Sequence, residues 1–128
     1  MEFFPNDPKQ VRLPPDEVRI RDLQAHLLED GRKVKVYLEV DPFQKRPNFE
    51  LTVTGPQGIR VADVSIIETI QHKMELTLHL RGELPAGQYT LEAVLFYGKL
   101  VEPPDSSQEP GTIERHVVDN SSQVFEIP

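Results

Sequence analysis

Residues 84–97, Leu-Pro-Ala-Gly-Gln-Tyr-Thr-Leu-Glu-Ala-Val-Leu-Phe-Tyr, contain the strand that decides the fold. From Tyr89 to Tyr97 an apolar residue occupies every second position, and polar Thr90 and Glu92 stand between the first of them. Successive side chains of a strand point to opposite faces, so this alternation predicts a half-buried strand. Pro85 and Gly87 precede it and are typical of a turn.

The same alternation recurs along the chain and predicts further strands. It is clear over residues 34–40, 49–54 and 74–80. It is weaker over 18–28 and 59–67, where the apolar phase slips by one residue. A β-bulge near Arg21-Asp22 would restore the phase of the first, and the second slips between Val61 and Val64. The tail predicts two short strands, 113–118 and 123–127, separated by Asp119-Asn120-Ser121.

Turn residues separate these strands at intervals of roughly ten residues, which is typical of all-β sandwiches. Asp30-Gly31 predicts a hairpin turn, and Gly55-Pro56-Gln57-Gly58 predicts another. The sequence therefore predicts an all-β, two-sheet antiparallel sandwich of about seven strands over residues 18–128. Residues 1–17 hold four prolines and predict an extended arm, and a long exposed loop is expected near 99–112.

The stretch from Leu84 to Leu91 resembles the approach to the sixth strand of immunoglobulin-like domains. In those domains a tyrosine near the start of the strand bonds back to the preceding corner, and Tyr89 holds that position here. Leu91 stands where antibody domains have their second cysteine. The chain has no cysteine and no tryptophan, so over about residues 18–127 it looks like a fibronectin-type or bacterial immunoglobulin-like module. The resemblance implies an immunoglobulin-like sandwich that serves as a spacer, an adhesion unit or an interaction domain.

Composition narrows the possible functions. The chain of 128 residues has 14 basic and 21 acidic residues, a net charge of −7, and residues 102–128 contain six acids and one base. An acidic chain without a basic cluster is a poor candidate for nucleic-acid binding. The absence of cysteine excludes disulfides and thiol nucleophiles. We expect a soluble domain without a membrane span or signal peptide, for which a cytoplasmic location is favoured and the compartment otherwise stays open.

Motifs for catalysis are missing from the sequence. It has no phosphate loop, dinucleotide fingerprint or nucleophile elbow, and its four histidines lack the spacing of a zinc site. We therefore predict no enzyme and no catalytic, cofactor or metal residues. Two alternatives stay open: a sandwich that binds calcium or a carbohydrate, and an enzyme with an active site formed by loops. The acids near strand ends that calcium could use are Asp41, Asp63, Glu68, Asp105 and Asp119.

The most informative functional feature is a surplus of apolar residues. Strand parity places Val94 and Phe96 on the face opposite Leu91 and Leu95, and we expect Tyr37 to share that face. An exposed apolar patch of this kind marks an interface. The sequence thus predicts a structural or protein-interaction module of unknown partner, or one that self-associates. The alternative is that the N-terminal arm, with its two phenylalanines, or the loop after residue 98 covers the patch.

Overall fold

Seven strands form the fold over residues 11–101 and 111–128, the part of the chain that the computed structural model describes. A single turn of 3₁₀ helix, Pro15–Glu17, precedes them. The strands are β1 (Ile20–Leu27), β2 (Lys33–Val40), β3 (Asn48–Thr54), β4 (Arg60–Ile66), β5 (Lys73–His79), β6 (Gly87–Val101) and β7 (Thr112–Ile127).

The strands form two antiparallel sheets. The three-stranded sheet has the order β1-β2-β5, and the four-stranded sheet has the order β4-β3-β6-β7. This confirms the predicted all-β sandwich and is consistent with an immunoglobulin-like arrangement. In a constant-type immunoglobulin domain the fourth strand lies in the sheet of the first two. Here β4 pairs with β3 instead, which makes the second sheet the wider one.

The core lies between the two sheets and is built by the alternation seen in the sequence. Every second residue is buried along β2, along β3 and along the Tyr89–Tyr97 part of β6, and the residues between them face outward. Burying one such side chain contributes roughly 1.5–3 kcal/mol, so the inner faces supply the main stabilisation of the fold. The core side chains from these three strands are Val34, Val36, Leu38, Val40, Phe49, Leu51, Val53, Tyr89, Leu91, Ala93, Leu95 and Tyr97.

Both predicted phase slips are irregularities in the ladders. The β1–β2 register shifts between Ile20 and Asp22, where the bulge was expected. In the β3–β4 ladder Val53 pairs with Ala62 and Thr54 with Arg60, which leaves Val61 as the extra residue. Each extra residue changes which parity points inward, so both strands keep apolar side chains in the core.

The two tail strands predicted over 113–118 and 123–127 are wrong as separate elements, because β7 runs unbroken through the residues between them. Asn120 pairs with Val94, and Ser121 pairs with Ala93. Asp, Asn and Ser disfavour strands only weakly, and a ladder partner overrides that preference. The Asp119 carboxylate is satisfied because Oδ2 accepts the backbone N–H of Ile20 at 2.9 Å.

The predicted N-terminal arm and the loop predicted near 99–112 also need correction. Of the proposed arm, residues 1–10 lie outside the described residues. Leu13 donates its N–H to the carbonyl of Pro42 at 2.9 Å and forms a parallel bridge with Phe43. The 3₁₀ turn follows, so the described end of the arm is not uniformly extended. Of the loop expected near 99–112, residues 102–110 lie outside the described residues, whereas 99–101 and 112 belong to β6 and β7 because their ladder continues.

Tyr89 anchors the start of β6. Its ring is buried and stacks on Phe125 with 5.7 Å between the ring centroids. Its hydroxyl donates to the carbonyl of Pro85 at 2.7 Å, which is the bond to the preceding corner that the resemblance implied. Gly87 is required two residues earlier, because its φ is 144° and a Cβ there would come within 2.8 Å of Pro56 Cγ. The corner and the strand thus hold each other in place.

Replacing Tyr89 by phenylalanine tests this anchor. The change keeps the buried ring and removes one hydrogen bond, so Tyr89→Phe should lower the free energy of unfolding by about 1 kcal/mol in urea denaturation. Tyr37→Phe is the matched control, since the Tyr37 hydroxyl bonds only to the neighbouring Glu39 carboxylate on an outer face. Equal losses of unfolding free energy in the two variants would show that the Tyr89–Pro85 hydrogen bond stabilises the fold no more than a surface hydrogen bond does.

Candidate protein-binding surface at the β6–β7 hairpin

The structure separates the three residues predicted to form one apolar face. Val94 and Phe96 lie on the outer face of the four-stranded sheet, whereas Tyr37 lies on β2 in the three-stranded sheet. The expectation that Tyr37 shares their face is therefore wrong. The alternation along each strand correctly predicted that these side chains point away from the core. It carries no information on which sheet a strand joins.

Phe96 is covered by a neighbouring side chain of β7. The Arg115 guanidinium lies over the Phe96 ring, with Cζ 4.0 Å from the ring centroid, and leaves this residue 9% exposed. Arg115 is held there by an ion pair with Glu50 of β3, at 2.6 Å. The two segments expected to cover Phe96, the arm and the loop after residue 98, fall largely outside the described residues. Nothing in the sequence pattern indicated that Arg115 would cover Phe96, although it is the only lysine or arginine among residues 102–128.

Next to this face the β6–β7 hairpin extends beyond the rest of the sheet. The last pair between β3 and β6 is Asn48 with Phe96, whereas the β6–β7 ladder continues to Val101 and Thr112. A depression of about 330 Å³, the hairpin groove, lies at the point where β3 begins. Six of the residues that line it are Lys45, Arg46, Ile67, Tyr97, Gly98 and Ile113.

Two exposed isoleucines line the groove. Ile67 is 66% exposed and Ile113 is 70% exposed, although both are large hydrophobic residues. Tyr97 is buried behind them, and its hydroxyl donates to the carbonyl of Lys45 at 3.0 Å. A partner that bound here would remove the apolar surface of two isoleucines from water, which favours binding.

Asn48 holds the two sides of the groove together. Its Nδ2 donates to the carbonyl of Phe96 at 3.3 Å, and its Oδ1 accepts the backbone N–H of Glu68 at 2.8 Å. Glu68 has a φ of 47°, a left-handed conformation that is uncommon for a residue other than glycine. The Asn48 amide therefore fixes the loop that carries Ile67 against β6. Nothing in the local pattern around Asn48 indicated this role.

The groove carries an excess of positive charge at its mouth. Lys45 and Arg46 are exposed, and neither forms an ion pair within residues 11–101 and 111–128. Lys45 Nζ lies 5.8 Å from the centroid of the Tyr97 ring. Glu68 is the one acid among the residues that line the groove. This local excess contrasts with the net charge of −7 on the whole chain.

The surface around Tyr37 has a different character. A shallow hollow of about 410 Å³ is lined by Gln24, His26, Lys35, Tyr37 and Glu75. These groups largely bond to one another or to strand neighbours: Lys35 pairs with Glu75 at 2.6 Å, and the Tyr37 hydroxyl donates to Glu39. Partial burial and the Glu39 carboxylate raise the pKa of Tyr37. The outer face of the three-stranded sheet is thus a network of paired polar groups.

The described ranges contain neither a candidate metal cluster nor a helix suited to a membrane. Among residues 11–101 and 111–128, no cluster of three or more His, Asp or Glu side chains is arranged to hold a metal ion. In the same ranges, no helix has the length and hydrophobicity needed to cross a membrane. The calcium candidates Asp41 and Asp119 are engaged elsewhere, since Asp41 pairs with Arg21 at 2.8 Å and Asp119 accepts the Ile20 N–H.

Comparisons with known proteins show only distant likenesses. No family model and no curated protein matches the chain. A β-glucuronidase from Bifidobacterium dentium, solved with coumarin-3-O-glucuronide, is 17% identical over 86% of this chain, with a TM-score of 0.47. A β-glucuronidase from Ruminococcus gnavus, solved with uronic deoxynojirimycin, is 15% identical over 87%, with a TM-score of 0.40. The chain spans 18% and 16% of their lengths, and likenesses at this level assign no function.

A double-mutant cycle tests whether Arg115 and Glu50 act together over Phe96. Arg115→Ala removes a cation–π contact and an ion pair, so it should lower the free energy of unfolding by about 1 kcal/mol. Glu50→Gln should cost less. The double variant should lose less than the two single losses added together, by roughly 0.5 kcal/mol, in urea denaturation. Additive losses would contradict the arrangement described for Phe96.

The pH dependence of stability tests the burial of Tyr97. Burial raises its pKa to about 12, from an ordinary value of 10 in the unfolded chain. The neutral hydroxyl is therefore favoured by folding, and its contribution is complete below pH 10 and is lost as the pH rises toward 12. Between pH 9 and 11 the chain should lose about 1 kcal/mol more stability than Tyr97→Phe does. Parallel pH profiles would show that Tyr97 ionises freely in the folded state.

Proposed function

We propose that this chain is a non-enzymatic interaction module that binds a protein at the hairpin groove. The observation that carries the proposal is the exposure of Ile67 and Ile113 in one depression, beside the Phe96–Arg115 contact. Contiguous exposed apolar surface rimmed by polar groups is characteristic of interaction sites. The partner is either another protein or a second copy of the chain, as the sequence predicted.

The chemistry of the groove supports binding over catalysis. A general acid or base works best with a pKa near the operating pH. The pKa of Tyr97 is raised to about 12, and its hydroxyl already donates to the Lys45 carbonyl. The remaining polar side chains of the lining are an asparagine, one carboxylate and two cations, which suit recognition of a charged surface.

We also propose that the module is of the immunoglobulin-like, fibronectin-type kind. The supporting features are the Tyr89–Pro85 hydrogen bond and the placement of β4 beside β3 in the wider sheet. Modules that resemble this one serve as spacers, adhesion units or interaction domains. An interaction surface at one end of the sandwich fits such a role.

The alternative of a small ligand has weaker support. A carbohydrate would find an aromatic ring and polar groups in the hollow around Tyr37. Those polar groups already pair within the protein, as in the Lys35–Glu75 bridge, and a sugar would have to compete with these bonds. Calcium would need Asp41 or Asp119 to give up present partners. We therefore favour the hairpin groove.

Charge insertion at Ile113 tests the proposed surface. Ile113→Glu should abolish association, because a carboxylate would have to be desolvated in an apolar contact. Ile59→Glu is the matched control, since Ile59 is 61% exposed but lines a different depression beside Pro56 and Pro85. Both variants should melt within a few degrees of the unmodified chain, because neither side chain is in the core.

Two measurements apply to all three proteins: light scattering over a concentration series, and capture of partners from an extract of the producing organism. The expected result is a dimer or a captured protein that is retained by Ile59→Glu and lost by Ile113→Glu. A species that Ile113→Glu binds as well as the unmodified chain does would place the interaction elsewhere. A chain that neither self-associates nor captures a protein would contradict the function itself.

A further inference from the structure

The part of β6 that borders the hairpin groove has an open backbone edge. β3 ends its pairing at Asn48, while β6 continues to Val101 with only β7 beside it among the described residues. The pairing with β3 ends at Phe96, whose carbonyl also accepts a hydrogen bond from the Asn48 side chain at 3.3 Å. In an antiparallel sheet alternate residues direct their N–H and C=O to the same side. Gly98 and Leu100 share the parity of Phe96, so their backbone groups point toward the position that β3 vacates.

An open strand edge of this kind can accept another strand. Such an addition provides backbone hydrogen bonds for affinity and uses side-chain depressions for specificity. Gly98 favours the addition of a strand because a glycine lets another backbone approach closely. A larger residue would be crowded at this position, since a Cβ there would come within 3.1 Å of Ile113 Cγ2. Ile67 and Ile113 both line the groove, Ile113 from β7 and across Gly98, and would receive apolar side chains of the incoming strand.

The positive charge at the mouth of the groove indicates which charged residues the incoming strand should carry. Lys45 and Arg46, between β2 and β3, are exposed and carry no ion pair within the described ranges, whereas four exposed bases on the strands each pair with a carboxylate. Complementary charges across an interface steer association and select partners. Acidic residues beside the apolar ones would therefore be favoured, and basic ones would be repelled.

We propose that the hairpin groove binds an extended acidic segment of another protein, which adds to β6 as a further strand along Gly98–Val101. This inference rests on the proposed function and names the class of its partner. The segment would place β-branched or other apolar side chains against Ile67 and Ile113. Its carboxylates would contact Lys45 and Arg46.

The test starts from a displayed library of random twelve-residue peptides, selected on the immobilised chain. Enriched sequences should alternate apolar and polar residues and should contain at least two acids. A selected peptide is then synthesised with a fluorescent label, and its affinity is measured by polarisation at two salt concentrations. Affinity should fall as salt rises, because exposed charge pairs are screened.

Three variants identify the site. Arg46→Glu should weaken the labelled peptide at least tenfold, and so should Ile113→Glu. Arg60→Glu is the charge-matched control, because Arg60 is also exposed but lies at the start of β4, outside the lining of the groove. It should bind as the unmodified chain does. All four proteins should have similar melting temperatures, which separates lost binding from lost folding.

Backbone pairing has its own readout. A strand bonded to the Gly98 edge uses alternate peptide N–H groups, so N-methylation of one alternate set should weaken binding at least tenfold and methylation of the other set should not. Hydrogen exchange at the Gly98 amide should slow in the complex. Equal effects of the two methylated sets, or unchanged exchange at Gly98, would overturn the strand addition.

The remaining outcomes separate this inference from the proposed function. Enrichment of neutral or basic peptides, no enrichment at all, or undiminished binding to Arg46→Glu would overturn the inference. The interaction module would still stand if Ile113→Glu lost a captured protein. A dimer of the unmodified chain that Arg46→Glu disrupts would identify a second copy, not another protein, as the occupant. If Ile113→Glu retained every interaction, the proposed function and the inference would fall together.

Discussion

The alternation of side chains along β6 is the constraint on which the rest of the structure depends. Its inner residues, from Tyr89 to Leu95, are fully buried, and they join β3 and β7 to a common core. Because the period of a strand is two, placing one set of residues in the core turns the other set to the outer face of the sheet. The outer position of Phe96, and the need to cover it with Arg115, follow from the same packing that stabilises the sandwich.

Unequal strand lengths create the candidate site. β6 and β7 pair over their whole lengths, but β3 leaves β6 at Phe96. A backbone edge, a depression and two exposed isoleucines therefore coincide at one end of the wider sheet. The amide of Asn48 closes the sheet at that point by bonding to both β6 and the loop after β4. A site of this kind requires no catalytic machinery, because its affinity would come from backbone pairing, apolar contact and charge.

Much of the fold could be predicted because its determinants are local. Alternation located most of the strands, and the slips of phase indicated the bulges in β1 and β4 but not the register shift between β6 and β7 after Leu95. The residues before Tyr89 indicated its bond to the preceding corner. The continuous β7 could not be predicted, since Asn120 and Ser121 weakly disfavour a strand and are held in it by pairing with Val94 and Ala93 of β6. The site was predicted only in part, because Phe96 was placed outward correctly while its cover and its true neighbours were not.

The sequence by itself determined the class of fold, the outward orientation of Val94, Phe96 and Tyr37, and the acidic character of the chain. These properties follow from composition and from a two-residue period that needs no knowledge of the partner strand. Only the tertiary structure decided which sheet each strand joins, and so it alone separated Tyr37 from Phe96. It also brought Arg115 to Phe96, because pairing between strands distant in sequence depends on the packing of the whole core.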